Sequence, residues 1–311
     1  MQSKSTLAGK EQVLQRPNPL ISVILWELRR LVSNYINWGI VLAFFVFCLL
    51  VIGFKHSWGR PVVDGQVGET ILIVGTSALG SSYQIIEGLL LFLGILLPFV
   101  AGEAIAGDYK ARVHELLMST SLPTWGYVFG RYIASLIVSF GLALVLLVAV
   151  LVTSPILHLT LSYPAPNLAL ILSVWVIAII PATILVSSLS FALGTLLPRL
   201  AFLSKIALMA LWVSLFFGSD VFDHGSTWFT LWNPTSYGIV RVNVDHFLQV
   251  YQAAVQNVSD IEQRAQLSIQ LQQQVPNLAP WIPSHLVLVG LGVILAAVAA
   301  LYFRRFRDVL G

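Results

Sequence analysis

Six stretches of the chain are apolar for long enough to cross a bilayer as helices, which takes about 20 residues at the helical rise. They cover 38–54, 85–106, 132–156, 168–186 or slightly beyond, 200–218 and 286–303. Pro98 and Pro181 fall inside two of them, which bilayer helices tolerate better than soluble ones, and Pro181 predicts a kink in the fourth. Ahead of the first stretch, Ile21, Ile24, Leu25, Leu28, Leu31 and Val32 recur at helical spacing, while Glu27, Arg29, Arg30 and Ser33 fall mainly on the other side. That pattern predicts an amphipathic helix, either lying along the membrane surface or docked on the end of the bundle. Between the fifth and sixth stretches the chain is polar again. Its second half, rich in Gln and Ala with few helix breakers, predicts one or two helices outside the membrane. Its first half carries Trp228, Phe229, Trp232 and Tyr237, residue types that favour the membrane boundary. The run ILIVG after the first span is too short to cross and reads as a re-entrant candidate.

The pattern therefore predicts an all-α membrane protein of six transmembrane helices, with an amphipathic amino-terminal interfacial helix and a helical outer segment between helices 5 and 6. Residues 1–35 form the tail and interfacial helix, and 36–218 hold the first five spans. Residues 219–284 form the extracytoplasmic segment, and 285–311 the last span with its basic end. Composition agrees: 57% of the 311 residues are hydrophobic and only 10% charged, against roughly 25% charged in a soluble domain.

Charge changes the picture by setting orientation. With the amino terminus inside, thirteen of the 17 Lys and Arg fall on inner segments, leaving Lys55, Arg60, Arg241 and Arg264 outside. Basic groups are retained on the cytoplasmic side during insertion, so both termini are expected there, in a plasma-membrane protein. The first twenty residues lack the apolar stretch of a cleaved signal peptide. Because the basic residues sit at membrane boundaries, the net charge of +3 indicates no nucleic-acid partner. The single cysteine, Cys48, allows no intrachain disulfide and no cysteine-rich metal site.

The connection after the second span, GEAIAGDYKARVHELLMSTSLPTWGYVFGR, carries the most information. Val113, Leu116 and Leu117 form one stripe, and Asp108, Arg112 and Glu115 another at spacings that pair charges. Such a helix suits docking of a cytoplasmic protein, with leucines as anchors and charges fixing register. The stretch resembles the corresponding loop of ABC-2 type transporter permeases. The matching residues are Glu103 and Asp108, Glu115-Leu116-Leu117, Thr120-Ser121-Leu122-Pro123 and Gly130-Arg131. The amphipathic amino-terminal helix, the six spans and Asn233-Pro234 after the fifth follow the same order. The resemblance implies a permease, expected to be an exporter, that dimerises with a second permease of the same or a related chain. Separate ABC ATPase subunits would dock on the coupling loop 103–131, with Asp108, Lys110, Arg112, Glu115, Leu116 and Leu117 as the docking residues. No G-x-x-x-x-G-K-[ST] loop is present, so ATP and Mg are expected on the partner, with no cofactor held by this chain.

Other candidate chemistry is sparse. Glu87 lies within the second span and is a candidate for the substrate path or a helix interface, or a group reaching the headgroups. Lys205 is expected to snorkel to the surface, and His158 and His285 to sit at span boundaries. His114-Glu115 lacks the second histidine of a zinc-protease helix, since Met118 stands in its place, and no metal site is expected. The chain is thus not expected to be an enzyme. A self-contained carrier or channel and a non-transporting accessory membrane subunit remain as alternatives to the permease.

Overall fold

The computed structural model describes residues 18–61, 70–110, 123–218, 227–256, 258 and 260–310. Six helices in it are long and apolar enough to cross a membrane: Tyr35–Phe54, Ala78–Asp108, Thr124–Leu161, Leu168–Leu196, Pro198–Phe217 and Ala279–Phe303. Leu42, Leu144, Phe202 and Leu286 project exposed from four of these helices. A water-soluble fold would bury such side chains, whereas helices facing lipid present them outward. The chain is a multi-pass membrane protein.

An amino-terminal helix α1 (Pro19–Ser33) precedes the first span, α2 (Tyr35–Phe54). Asn18 and Asn34 cap them, their side chains accepting from Leu20 N and Ile36 N at 3.1 and 3.0 Å. The second span is built from α3 (Ala78–Tyr83), a π-helical segment Gln84–Leu90, α4 (Leu91–Ala101) and α5 (Glu103–Lys110). It begins earlier than hydropathy predicts because the Ser77 hydroxyl accepts from Gly80 N at 3.0 Å and starts the helix there. The third, α6 (Thr124–Leu161), has 38 residues, so at 1.5 Å per residue it is about 57 Å long. That is well beyond a hydrocarbon core of about 30 Å, so α6 stands out of the membrane.

The fourth span joins α7 (Leu168–Val174), a second π-helical segment Trp175–Ile179 and α8 (Ile180–Leu196). The widened turn ends where Ile180 N donates to Trp175 O, immediately before Pro181. Proline has no N–H and its ring crowds the carbonyl four residues back, and the π turn immediately before it makes room for that ring. The two π segments lie against each other in the bundle. The fifth span is α9 (Ala201–Phe217), entered through the short turn Pro198–Leu200.

At one end of the bundle the connections fold into a small cap. The run expected to be re-entrant is instead a strand: β1 (Ser57–Pro61) pairs antiparallel with β2 (Thr70–Val74), with Trp58 opposite Ile73. Ile71 and Ile73 are buried while Leu72 between them is exposed, the period-2 pattern that makes a short β-branched run a strand rather than a membrane dip. Helices α10 (Thr227–Trp232), α11 (Tyr237–Val255) and α12 (Ile261–Gln272) fill the segment between the fifth and sixth spans. Gln272, fully buried, accepts from Val74 N and donates to Leu72 O, both at 2.9 Å, so one side chain satisfies the open edge of β2. Asn233 ties the cap to the fifth span by donating to Leu215 O at 3.0 Å while accepting from Thr235 N at 3.0 Å. The last helix, α13 (Ile282–Leu310), carries the sixth span and packs along α8. His285, expected at a boundary, is buried there, 2.8 Å from Ser236 Oγ and from Trp281 O.

Candidate functional site

Helix α1, α5, the start of α6 and the far end of α13 come together at the end of the bundle opposite the cap. Helix α1 packs on α6 along Leu20, Val23, Ile24, Glu27, Leu28 and Leu31, all buried or half-buried. Glu27 thus occupies the middle of the packed stripe, 4% exposed, rather than the polar face expected for it. Its spacing, four residues after Val23 and four before Leu31, is the signal that places it there. Ile21, Leu25 and Val32 point away from the bundle and are exposed. The helix is therefore docked on the bundle and also keeps an apolar outer face.

What holds a carboxylate in that stripe is Arg131, in the second turn of α6 and wholly buried. One end of its guanidinium pairs with Glu27 and the other with Asp108 of α5. Tyr127, one turn earlier on α6, donates its hydroxyl to Asp108 Oδ2 at 2.5 Å. Arg30 reaches Glu27 Oε1 at 2.6 Å and lies 3.9 Å from Asp108 Oδ1. Two carboxylates and two guanidiniums make the node neutral, which is the condition for burying Glu27, Asp108 and Arg131 together, with the half-exposed Arg30 balancing the remaining charge at the rim. Trp26 covers it, its ring centroid 5.1 Å from the Arg131 guanidinium carbon and 5.5 Å from that of Arg30. Gly130 makes the close approach possible: a Cβ there would run into Val23 of α1. The Gly-Arg pair at this position therefore has a direct physical meaning, the glycine admitting α1 and the arginine locking it.

A second ionic link holds the other end of α5. Glu103 pairs with Lys205 of α9. Lys205 does not snorkel; it is 4% exposed, held inward by that carboxylate, whose own side chain is 47% exposed. The asymmetry predicts unequal variants. Glu103→Gln strands a buried ammonium and is expected to cost about 1–3 kcal/mol, whereas Lys205→Met leaves a carboxylate that water reaches and is expected to cost less. Thermal unfolding of the two variants in lipid nanodiscs checks the order. Equal effects would mean that the pair does not bear on stability through Lys205.

Helix α5 is thus a short lever fastened at both ends, to α9 through Glu103 and to α1 and α6 through Asp108. Of the residues expected to dock a partner, Asp108 is 4% exposed and committed within the chain. Lys110 closes α5. Arg112, Glu115, Leu116 and Leu117 lie outside the described residues. Glu87 sits elsewhere, half-buried in the first π segment and on the cap side of the bundle. The sequence reading did not single out Glu27, Tyr127 or Arg131 as site residues, since each charge taken alone looks like a membrane-boundary residue. Compared with models of known protein families and with curated proteins, the chain matches none.

Proposed function

We propose that this chain is the membrane-spanning permease of an ABC-2 type transporter, an exporter of the plasma membrane with both termini in the cytoplasm. It pairs with a second permease chain and is driven by separate ATPase subunits that bring ATP and Mg. The observation that carries the reading is the buried node at Arg131. The stretch 111–122, where the ATPase is proposed to dock, is flanked by α5 on one side and α6 on the other. Both flanks meet α1 at a single guanidinium. Displacement of α5 or of the start of α6 reaches α1 and the third span through charge-assisted contacts. The link from Glu103 to Lys205 extends the same connection to the fifth span.

In this mechanism the ATPases favour one arrangement of the helices over another through their different affinity for the docking stretch in each state, and transport follows the population shift. Leu117 is the proposed apolar anchor and Glu115 fixes register. The test is a mild-detergent pull-down of the tagged full chain from its native membrane. Recovery of an ATPase with a phosphate-binding loop is expected, reduced tenfold or more by Leu117→Asp while the amount of chain in the membrane is unchanged. Recovery of the chain alone across several detergents would overturn the reading in favour of a self-contained carrier or an accessory subunit.

A further inference from the structure

A groove of about 360 Å³ opens in the cap, between α11, α12 and the entry to the last span. Its size falls in the range of small-ligand sites, about 300–1,000 Å³. Phe247 and Trp281, both at least nine-tenths buried, contribute its apolar lining, and Asn243, His246, Gln274 and Asn277 its polar lining. None of the described lining residues is Lys, Arg, Asp or Glu. A phosphate, a carboxylate or an amine would therefore lose its water there without meeting a fixed opposite charge.

The two asparagines are already oriented. Asn243 donates its Nδ2 to Ile239 O at 2.7 Å, which leaves its amide oxygen as acceptor. Asn277 accepts from Ala279 N through Oδ1 at 3.1 Å, which leaves its NH2 as donor. One acceptor and one donor, oriented by bonds within the chain in a groove whose described lining carries no Lys, Arg, Asp or Glu, match a small ring that carries uncharged hydroxyls at its edge. We propose that this groove binds an uncharged hexose head group. The proposal is independent of whether an ATPase drives the chain.

The sugar has two possible sources, a free saccharide or the head of a neutral glycolipid. The groove is lined by Leu79 at the start of the second span and by Pro280 and Trp281 at the start of the sixth, so a bound head group sits at the membrane boundary. Leu286 and Val287, a few residues further along α13, are exposed and apolar.

The experiment uses the full chain in phosphatidylcholine nanodiscs prepared without sugar detergents. Maltose is titrated calorimetrically, and glucosyl-diacylglycerol included in the disc is followed by native mass spectrometry. Saturable binding of either probe is expected, weakened about tenfold or more by Asn243→Leu. Binding of maltose assigns a free saccharide, and retention of the glycolipid alone assigns a lipid head group. Because Asn277 also caps the turn before α13, the exposed His246→Ala serves as the second variant and is expected to weaken binding in the same direction. Absence of saturable binding by both probes, or binding equal in Asn243→Leu, His246→Ala and the unchanged chain, would overturn the proposal.

Discussion

Replacing Arg131 by methionine is expected to destabilise the folded chain by about 3–5 kcal/mol, the cost of removing one partner from a buried charge cluster. The reason lies in what is left behind. Glu27 and Asp108 are each 4% exposed. Without the guanidinium between them, two like charges face each other in a poorly solvated site, with Arg30 as their remaining counter-ion among the described residues, and Arg30 is half exposed. Repulsion between the two carboxylates then favours lifting α1 off α6. The triple replacement Glu27→Gln, Asp108→Asn, Arg131→Met removes all three charges and is expected to recover most of the loss. Buried ion pairs exchanged as a set are often neutral or better in stability. Thermal unfolding in nanodiscs compares the two. A single variant as stable as the parent would show that the node does not fasten α1 and α5 to α6. On the proposed mechanism the triple variant is folded yet poorly coupled, because its amide and thioether contacts no longer hold α5 and α1 to one point of α6.

The second large effect is expected at Gly194. A Cβ at that position on α8 would lie 2.6 Å from the carbonyl oxygen of Gly102, in the turn that joins α4 to α5. The obstacle is backbone, so no rotamer change relieves it; α8 and the turn must move apart. Gly194→Val is expected to cost about 1–3 kcal/mol by overpacking, read as a lower thermal midpoint. Gly141→Ala and Gly39→Ala meet nothing within 4 Å and sit inside helices, so they are expected to be neutral or to gain up to about 1 kcal/mol from helix propensity. Helix α8 packs against α4, α5, α6, α9 and α13, so a displacement at Gly194 also reaches the α5 lever. Equal behaviour of Gly194→Val and Gly141→Ala would mean that the contact is not tight.

The six spans were legible in the sequence because a bilayer imposes a one-dimensional rule: about 20 apolar residues, with backbone bonds satisfied inside the helix. The amphipathic α1 and the helices of the segment after the fifth span were legible for a similar reason, through periodicity and the lack of breakers. What failed were readings in which one residue was judged without its partner. Lys205 read as a snorkelling boundary cation, but Glu103, 102 positions away, turns it inward. Asp108 read as a docking charge and Glu27 as part of a polar face; both are buried because Arg131 lies between them. The run at 71–74 read as a membrane dip until β1 supplied its hydrogen bonds and Gln272, from nearly 200 residues later, closed its edge. The sequence by itself determined the six membrane-length apolar stretches and the amphipathic first helix, since these depend on local composition and period. Only the tertiary structure decided which charges are buried, because the cost of burying a charge is set by what meets it in space, and the chain brings those partners from distant turns.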